Sequence, residues 1–432
     1  MKNQTVILGG GVTGLAAGVA SGHPVYEANS QPGGICSSYR IASQSSPISR
    51  EESHNSYRFE LGGGHWIFGG DPMVLSFIAK LSAIRGYERI SSVFFPSENL
   101  YVPYPLQNNL SRLKSETRLA ALAEIAHSGR KRPETMAEWI QCSFGQTLTN
   151  LFFAPFHEMY TSGLWNTIAP QDDYKSPIDF KHVLLGAMSE APAVGYNTRF
   201  LYPSEGLDTL TSRMADLCDI RYQKTVVEIK PETKEVNFSD GSSTRYSTLV
   251  CTLPLNRALA LSGLSVDSQC DPHSSVLVLN IGAVKGLRCP KDHWIYVPKS
   301  ESGFHRVGFY SNVDPLFLPT ESRLKNDRVS IYVERAYQGG NKPSEIEIGE
   351  YSCKVMRELQ SWGFIENVEV CHPTWIEVAY TWKWPGSPWV SEAIRLLKEH
   401  QIYQVGRYGR WTFQGIADSI KEGFVAGTCF RD

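Results

Sequence analysis

The hydrophobic pattern at the start of the chain predicts a strand, a glycine turn and a helix. An apolar run at residues 5–8 is typical of a buried strand, and a helical stretch from Gly14 to Ala20 follows it. A second short strand at residues 24–26 leads directly to an acid, Glu27. This alternation of strand, helix and strand predicts a parallel βαβ unit.

Further along, segments with a helical pattern alternate with segments rich in predicted strands. Residues 71–189 are mainly helical in pattern, whereas residues 275–380 are strand-rich and suit an antiparallel sheet. Helices are expected at 72–84, 110–127, 134–144 and 207–218, with one more in the final segment, 402–432. Strands are expected at 57–61, 221–229, 235–238, 248–253, 275–281, 305–309, 329–334 and once more at the start of the final segment. The aperiodic, serine-rich segment 42–57 predicts an exposed loop or hairpin tip.

These patterns predict an α/β fold in which a Rossmann-like nucleotide-binding domain accompanies a discontinuous substrate domain of helices and an antiparallel sheet. Residues 1–70, 201–262 and 395–432 are assigned to the nucleotide-binding domain, including strand 57–61. Residues 71–200 and 263–394 are assigned to the substrate domain. A length of 432 residues exceeds what one hydrophobic core usually holds, which agrees with two domains.

Composition then narrows the classes of function. A net charge of -2 gives no support for a nucleic-acid partner, and the nine cysteines, without a C-x-x-C pair, indicate reduced thiols in the cytoplasm. The chain has no uninterrupted run of about 20 apolar residues, so no transmembrane helix is predicted. The amino terminus superficially resembles a signal peptide, but repeated glycines interrupt its apolar run. Neither a metal-ligand cluster nor a G-x-S-x-G elbow is found, so no metal site is expected.

The glycines of the first turn carry the main chemical signal. Gly9, Gly11 and Gly14 have G-x-G-x-x-G spacing, which places backbone N–H groups and a helix N-terminus against a pyrophosphate. Glu27 is placed to accept hydrogen bonds from ribose hydroxyls. Three spaced glycines also occur by chance, but the acid and a second pair, Gly33-Gly34, favour a bound dinucleotide, FAD.

Two later motifs agree with a flavin. In the segment 62–68, Gly62, Gly63 and Gly64 allow backbone to approach a planar ring, and His65 can form a hydrogen bond beside it. Taken alone, His65 would be a structural histidine. Gly406 and Arg407 can present backbone N–H groups and a cation to a flavin pyrimidine or a pyrophosphate, although arginines are more often solvated surface charges. Three further residues are assigned to cofactor binding: Val226, Asp418 and Ser419.

With these motifs, the chain resembles the flavin-dependent UDP-galactopyranose mutases, within the superfamily of amine oxidases and protoporphyrinogen oxidases. The resemblance is discontinuous but covers nearly the whole length. It rests on the first glycine turn and on segments 62–68, 102–109, 293–296, 304–306 and 406–419. The glycine turn is shared by the whole superfamily, whereas the middle segments are closer to the mutases.

The resemblance implies a reaction without net oxidation, in cell-surface polysaccharide synthesis. The N5 atom of reduced FAD attacks the anomeric carbon of a nucleotide-linked sugar, which interconverts its pyranose and furanose forms. His65 and Arg306 are the catalytic residues that it implies. Tyr104 and Gln107 would face uracil, and Phe68 would lie by the flavin and sugar. The residues that would contact the diphosphate are Asn197, Tyr296, Arg306 and Tyr380.

Several positions depart from the mutase pattern. Asn166 stands where the mutases have a second diphosphate-binding arginine, and neutral Asn cannot replace a charged bidentate donor. Lys175, Lys181 or Arg199 are candidates to supply that charge, although each is more typical of a surface residue. Other positions have also changed: Phe156-His157 replaces Tyr-Asn, Val313 and Phe413 each replace a tyrosine, and Thr381-Trp382 follows Tyr380.

These departures leave the substrate open. The main alternative is an FAD-dependent oxidoreductase of the amine oxidase or desaturase kind, which would need an apolar pocket where a mutase needs an anion-binding one. A noncatalytic flavin-binding protein is a third hypothesis. The expected partners are a nucleotide sugar or another small molecule, with NAD(P)H as a candidate reductant and an oligomer as an open possibility.

Overall fold

The computed structural model describes residues 4–42, 48–49, 55–127, 132–171, 179–189, 195 and 197–431. Most of the segment expected to be an exposed loop, 42–57, lies outside the described residues, as does Lys175.

The strands and helices alternate along the whole chain. The strands are β1 (Thr5–Leu8), β2 (Val25–Tyr26), β3 (Ser38–Ala42), β4 (Ile48–Ser49), β5 (Ser56–Glu60), β6 (Ile84–Glu88), β7 (Ser91–Phe95), β8 (Leu100–Pro103), β9 (Arg199–Pro203), β10 (Ile220–Arg221), β11 (Val226–Lys230), β12 (Glu235–Phe238), β13 (Ser243–Arg245), β14 (Thr248–Cys251), β15 (His273–Lys285), β16 (Trp294–Tyr296), β17 (Arg306–Phe309), β18 (Arg328–Gln338), β19 (Ile365–Thr381) and β20 (Ile402–Gln404). The α-helices are α1 (Val12–Ser21), α2 (Pro72–Leu81), α3 (Ser115–Ala126), α4 (Met136–Leu148), α5 (Ala154–Tyr160), α6 (Phe180–Met188), α7 (Leu207–Ala215), α8 (Leu255–Ser262), α9 (Tyr310–Val313), α10 (Glu345–Ser361), α11 (Trp389–Glu399), α12 (Gly406–Gly409) and α13 (Ile416–Cys429). A π-helical turn covers Thr149–Phe153.

A parallel sheet forms one half of the fold. Its strand order is β10-β2-β1-β14-β20, and every neighbouring pair is parallel. The chain leaves β1 through α1 to reach β2 on one side, whereas β14 pairs with β1 on the other side. The carboxyl end of β1 is therefore a topological switch point, where open α/β sheets bind ligands.

Helices α1 and α13 pack closely on this sheet because small residues separate them. A Cβ atom at Gly423 would lie 2.2 Å from the carbonyl oxygen of Thr13, and one at Gly427 would lie 2.4 Å from that of Ala17. The C-terminal helix is thereby held against the helix that begins at the first glycine turn.

A seven-stranded sheet forms the other half, in the order β19-β15-β18-β17-β16-β7-β8. It is antiparallel except for the pair β7–β16, which is parallel. Helix α10 covers it with four buried side chains: Ile348, Tyr351, Val355 and Leu359. Beside it, α4 and the π-helical turn contribute to an aromatic core with Phe144, Phe152 and Phe153.

Two smaller units correct the predicted element pattern. The strand predicted at 57–61 is β5 (Ser56–Glu60), which pairs with β3 in a three-stranded sheet of its own. The predicted strand at 221–229 is divided, because β10 ends in the parallel sheet while β11 begins an antiparallel one with β12.

Two regions differ in kind from their sequence patterns. The region 71–189, which is mainly helical in pattern, includes three strands. β6 pairs with the distant β9 and β7 with the distant β16, whereas β8 forms a local hairpin with β7. Conversely, the strand-rich region 275–380 contains the 17-residue helix α10. Its capping box, in which Ser344 and Glu347 accept hydrogen bonds from each other's backbone N–H groups, is a sequence signal for that helix.

The α/β fold class is confirmed, with parallel and antiparallel sheets and helices on both. None of the helices in the described part of the chain has the length and apolarity needed to cross a bilayer.

Candidate functional site

A cavity of about 430 Å³ runs from the carboxyl end of β1 to the seven-stranded sheet. One end, here called the dinucleotide end, is lined by the first glycine turn, Glu27, Gly33 and Gly34. The other end, here called the substrate end, is lined by side chains of α5, β16, β17, β18 and β19. The two ends belong to one continuous space.

A different physical constraint accounts for each glycine of the first turn. Gly9 has a φ of +99°, a conformation that L side chains rarely adopt. A Cβ atom at Gly14 would lie 1.9 Å from the carbonyl oxygen of Gly9, so only glycine lets the helix start so close to the turn. No atom lies within 4 Å of the corresponding position at Gly11, which faces the cavity. The turn thus leaves open space at the N-terminus of α1, where a pyrophosphate is bound in this fold.

Glu27 is fixed at the next strand end by backbone and side-chain donors. Its Oε2 accepts from the N–H of Gly10 at 2.7 Å, and its Oε1 accepts from the backbone and side-chain amides of Asn29 at 2.8 and 2.9 Å. The carboxylate is buried yet lines the cavity. It is therefore a preorganised acceptor, as ribose hydroxyls require. Gly33 reinforces the turn, since its N–H donates to the carbonyl of Gly10 at 2.8 Å.

The triple glycine before His65 is required by protein side chains. A Cβ atom at Gly64 would lie 2.1 Å from the hydroxyl oxygen of Tyr332, and one at Gly63 would lie 2.9 Å from Oε1 of Glu334. Gly62 and Gly64 line the cavity, whereas Gly63 does not. The sequence indicates close approach of a ring here, and the structure adds the close packing of β18.

His65 lines the cavity between its two ends. Burial, together with the nearby positive charge of Arg407, lowers the pKa of His65 to about 4. Nδ1 of His65 is buried and has no hydrogen-bond partner among the described residues. His65 is therefore a neutral imidazole near pH 7, with a polar atom to offer to a bound molecule.

Arg407 also lines the cavity, close to His65. Its guanidinium donates to the carbonyl oxygens of Ala379 at 2.9 Å and Gln414 at 3.3 Å, and lies 4.7 Å from the ring centre of Phe413. Gly406 has a φ of +82°, and its backbone packs against Thr13. Ser419 also lines the cavity, but Asp418 is exposed and does not, and Val226 is likewise outside the lining.

Six of the eight side chains assigned to substrate from the mutase resemblance line the cavity: Phe68, Tyr104, Asn197, Tyr296, Arg306 and Tyr380. The other two do not, because Gln107 is buried beside the cavity and Asn166 is exposed on its 3-10 turn. Among the candidates to replace the missing arginine, Lys181 is exposed, and Arg199 is exposed and paired with Glu88. Neither supplies a cation to the cavity.

Arg306 is paired with Glu334, a residue that the sequence analysis does not identify as part of the site. Its Nε and NH2 donate to the two carboxylate oxygens of Glu334, at 2.9 and 2.6 Å. The charge of Arg306 holds the pKa of Glu334 below its usual value, against the opposing effect of burial. Nε2 of buried His305 lies 3.6 Å from the same carboxylate. No sequence signal links Glu334 to Arg306, because the pair forms only when β17 and β18 align.

Aromatic side chains form most of the remaining wall at the substrate end. The π-helical turn and α5 bring Phe152, Phe153, Phe156, His157 and Tyr160 to the cavity. Tyr160 packs on Tyr380 with ring centres 4.7 Å apart, and Tyr104 packs on Tyr296 at the same distance. π-Helical turns are frequent at functional sites because they change the direction of the side chains that follow.

The parallel sheet, its glycine turn and the adjoining cavity define the class of dinucleotide-binding α/β proteins. Within that class the chain belongs to the flavin containing amine oxidoreductase family, whose model matches residues 24–266. Membership implies a flavin cofactor.

Solved structures share this fold. A reduced UDP-galactopyranose mutase is 21% identical with a TM-score of 0.82, covering 99% of this chain and 95% of that one. A CLA-producing fatty acid isomerase from P. acnes is 14% identical with a TM-score of 0.61, covering 99% of both chains. Putrescine oxidase bound to putrescine is 13% identical with a TM-score of 0.57, covering 99% and 98%. At these identities the similarity shows the fold.

Proposed function

We propose that this protein is an FAD-dependent mutase that interconverts the pyranose and furanose forms of a nucleotide-linked sugar. The observation that carries the proposal is the convergence of six mutase-pattern side chains, from six separate segments of the chain, on the cavity that also contains the first glycine turn. The overall shape adds support, since the mutase fold matches with a TM-score of 0.82 while an oxidase fold matches with 0.57.

The dinucleotide end fits FAD. The open position at Gly11 and the N-terminus of α1 would hold its pyrophosphate, Glu27 its ribose, and Gly406, Arg407 and Ser419 its flavin side. When bound in reduced form, the flavin supplies a nucleophilic nitrogen for attack on the anomeric carbon.

The substrate end would then bind and orient the nucleotide sugar. Arg306 would attract the diphosphate through the part of its guanidinium that Glu334 does not occupy, and Tyr296 and Tyr380 would add hydroxyl donors. Neutral His65 would form a hydrogen bond with the sugar or the cofactor without adding charge. The aromatic wall would exclude water from the reacting sugar.

Anaerobic turnover tests this proposal. The FAD-loaded protein is reduced with dithionite and incubated with a panel of UDP-, dTDP- and GDP-linked hexopyranoses, and the products are separated by chromatography. A ring-contracted isomer formed by reduced protein, and by oxidised protein at less than about a hundredth of that rate, supports the mutase. If none of the sugars yields an isomer, the proposal is overturned.

One observation favours a second candidate, an FAD-dependent oxidoreductase. Within the described residues, Arg306 and Arg407 are the arginines that line the cavity, and Arg306 is paired with Glu334, so the aromatic wall leaves much of the substrate end apolar. In this case an uncharged or amine substrate bleaches the oxidised flavin at 450 nm. Absorbance at 450 nm of the FAD-loaded protein, followed before dithionite is added, therefore distinguishes the two candidates, because only an oxidoreductase substrate bleaches it.

A further inference from the structure

We infer that Arg89 is a positioning residue that aligns two parts of the substrate end, Asn197 and Tyr104, for a nucleoside diphosphate. The inference deepens the proposed function and rests on it. Arg89 follows β6 directly and is 7% exposed, which is unusual for an arginine. Its backbone N–H donates to the carbonyl of Thr198 at 2.8 Å, which fixes its Cα beside the start of β9.

The guanidinium of Arg89 bridges two segments that are distant in the chain. Its NH1 donates to Oδ1 of Asn197, and its NH2 donates to the carbonyl oxygen of Tyr104 at 2.9 Å. The guanidinium carbon also lies 5.3 Å from the ring centre of Tyr104. One planar cation therefore sets the distance between the side chain assigned to the diphosphate and the side chain assigned to the base.

The chemistry of the donor fixes the orientation of the Asn197 amide. Guanidinium groups only donate hydrogen bonds, so the Asn197 atom that faces Arg89 is the carbonyl oxygen. The NH2 group of Asn197 is then directed away from Arg89, on a residue that lines the cavity and is 7% exposed. An amide in this orientation offers hydrogen-bond donors to an anion, whereas the flipped amide would present an oxygen and repel it.

The position of Arg89 also explains how a site without a second arginine at Asn166 can bind an anion. Asn166 is exposed and outside the cavity, whereas Arg89 lies immediately behind Asn197. Its positive charge polarises the Asn197 amide toward the cavity, because hydrogen bonds to a charged donor are stronger than neutral ones. Arg89 thus acts through Asn197 and Tyr104 without lining the cavity itself.

Binding of UDP-galactose to the FAD-loaded protein tests the inference by calorimetry. Its diphosphate diester keeps a constant charge near neutral pH, so changes in affinity report on the protein. Arg89→Lys keeps the charge but loses the two guanidinium nitrogens that donate to Asn197 and Tyr104 together. We expect at least a tenfold weaker affinity with unchanged FAD content. Arg85→Lys is the matched control, since Arg85 lies on the same strand with a side chain 59% exposed, and its affinity stays within twofold.

Two further variants separate positioning from general stability. In the background Asn197→Ala, which removes the acceptor of the Arg89 NH1 group, Arg89→Lys should weaken binding by much less than it does in the wild-type background. Asn197→Asp keeps an oxygen for Arg89 but replaces the donor by a second oxygen. We expect it to retain the wild-type melting temperature within 2 °C and to lose affinity by a hundredfold or more. An equal effect of Arg89→Lys in both backgrounds, or wild-type affinity in Asn197→Asp, overturns the inference.

Failure of the proposed function has a different signature. If the wild-type protein binds no nucleotide sugar at all, the proposed function and the anion-binding role of Asn197 both fail. If it binds UDP-galactose but Arg89→Lys is indistinguishable from wild type, the proposed function stands and the role of Arg89 alone is overturned.

Discussion

The two ends of the cavity are built from different parts of the polypeptide. The dinucleotide end is built largely from backbone: Gly9, Gly11 and Gly14 shape a turn, and the N–H of Gly10 fixes Glu27. The substrate end is built from side chains that pair with one another, such as Arg306 with Glu334 and Tyr160 with Tyr380. Backbone geometry tolerates few changes, whereas paired side chains can be exchanged one at a time. The substrate end is therefore where this chain can differ from relatives without losing its cofactor.

The largest effect is expected from closing the glycine turn. In Gly14→Val the added carbons would overlap the carbonyl oxygen of Gly9, so the start of α1 must move away from the pyrophosphate position. We expect loss of bound flavin, measured as absorbance at 450 nm per protein, and a loss of about 1–3 kcal/mol in the free energy of unfolding.

A glycine outside the turn is the control for this substitution. Gly349 lies within α10 and has no atom within 4 Å of the position of a Cβ. Gly349→Ala should keep the flavin and stabilise the helix by about 0.5–1 kcal/mol. Full flavin content in Gly14→Val would show that the dinucleotide end does not depend on this backbone.

At the substrate end, Arg306→Ala should have the next largest effect. The change removes the cation that we propose contacts the diphosphate, and truncating one partner of a buried charged hydrogen bond costs about 2–5 kcal/mol of ligand binding. It also leaves the buried carboxylate of Glu334 without its cation. We expect calorimetry to show this loss for a nucleotide sugar while absorbance at 450 nm shows normal flavin content. Loss of flavin together with nucleotide binding would mean that the two ends are not independent.

A pH-dependent stability is expected from His65, which lies between the ends. Its pKa is about 4 in the folded protein and about 6.5 in the unfolded chain, so between these values only the unfolded chain takes up the proton. Stability from this group is therefore complete above about pH 6.5 and is lost as pH falls toward 4, by up to about 3 kcal/mol. The difference in unfolding free energy between wild type and His65→Gln, from urea titrations at pH 7, 5.5 and 4.5, should shrink accordingly. Parallel pH curves for the two proteins would contradict this assignment.

The smallest effect is expected from restoring the missing arginine. Asn166 is exposed and outside the cavity, so the added charge of Asn166→Arg lies in water, where such charges contribute about 0–1 kcal/mol. Nucleotide-sugar affinity should change by less than about fivefold in calorimetry. A gain of a hundredfold would show that this segment reaches the substrate end when ligand is bound.

The difference between the two ends also explains what the sequence could predict. The glycine turn and Glu27 belong to one local βαβ unit, so their spacing alone places them together at the carboxyl ends of the neighbouring strands β1 and β2. The roles of Glu334 and Arg89 depend on strand pairing across long separations, between β17 and β18 and between β6 and β9. No local pattern encodes such pairing, and for the same reason the sequence analysis does not predict β6 and β7, whose partners β9 and β16 are distant in the chain.

Three of the positions that the mutase resemblance implies lie in the seven-stranded sheet, and one lies in an exposed turn. Tyr296, Arg306 and Tyr380 lie at ends of strands in the seven-stranded sheet, and all three line the cavity. Asn166 lies on a short 3-10 turn that follows Gly163, and it points to solvent. Position in a sheet is inherited with the fold, whereas position in a turn depends on the local sequence.

The order of strands in the parallel sheet has a consequence for how the protein is made. Its central strand, β1, is synthesised first, but β14 and β20 come from residues 248–251 and 402–404, and α13 packs on α1 only after those. A ribosome must therefore release nearly the whole chain before the cofactor cradle can close. Such non-local pairing slows folding, so we expect the dinucleotide end to be completed late.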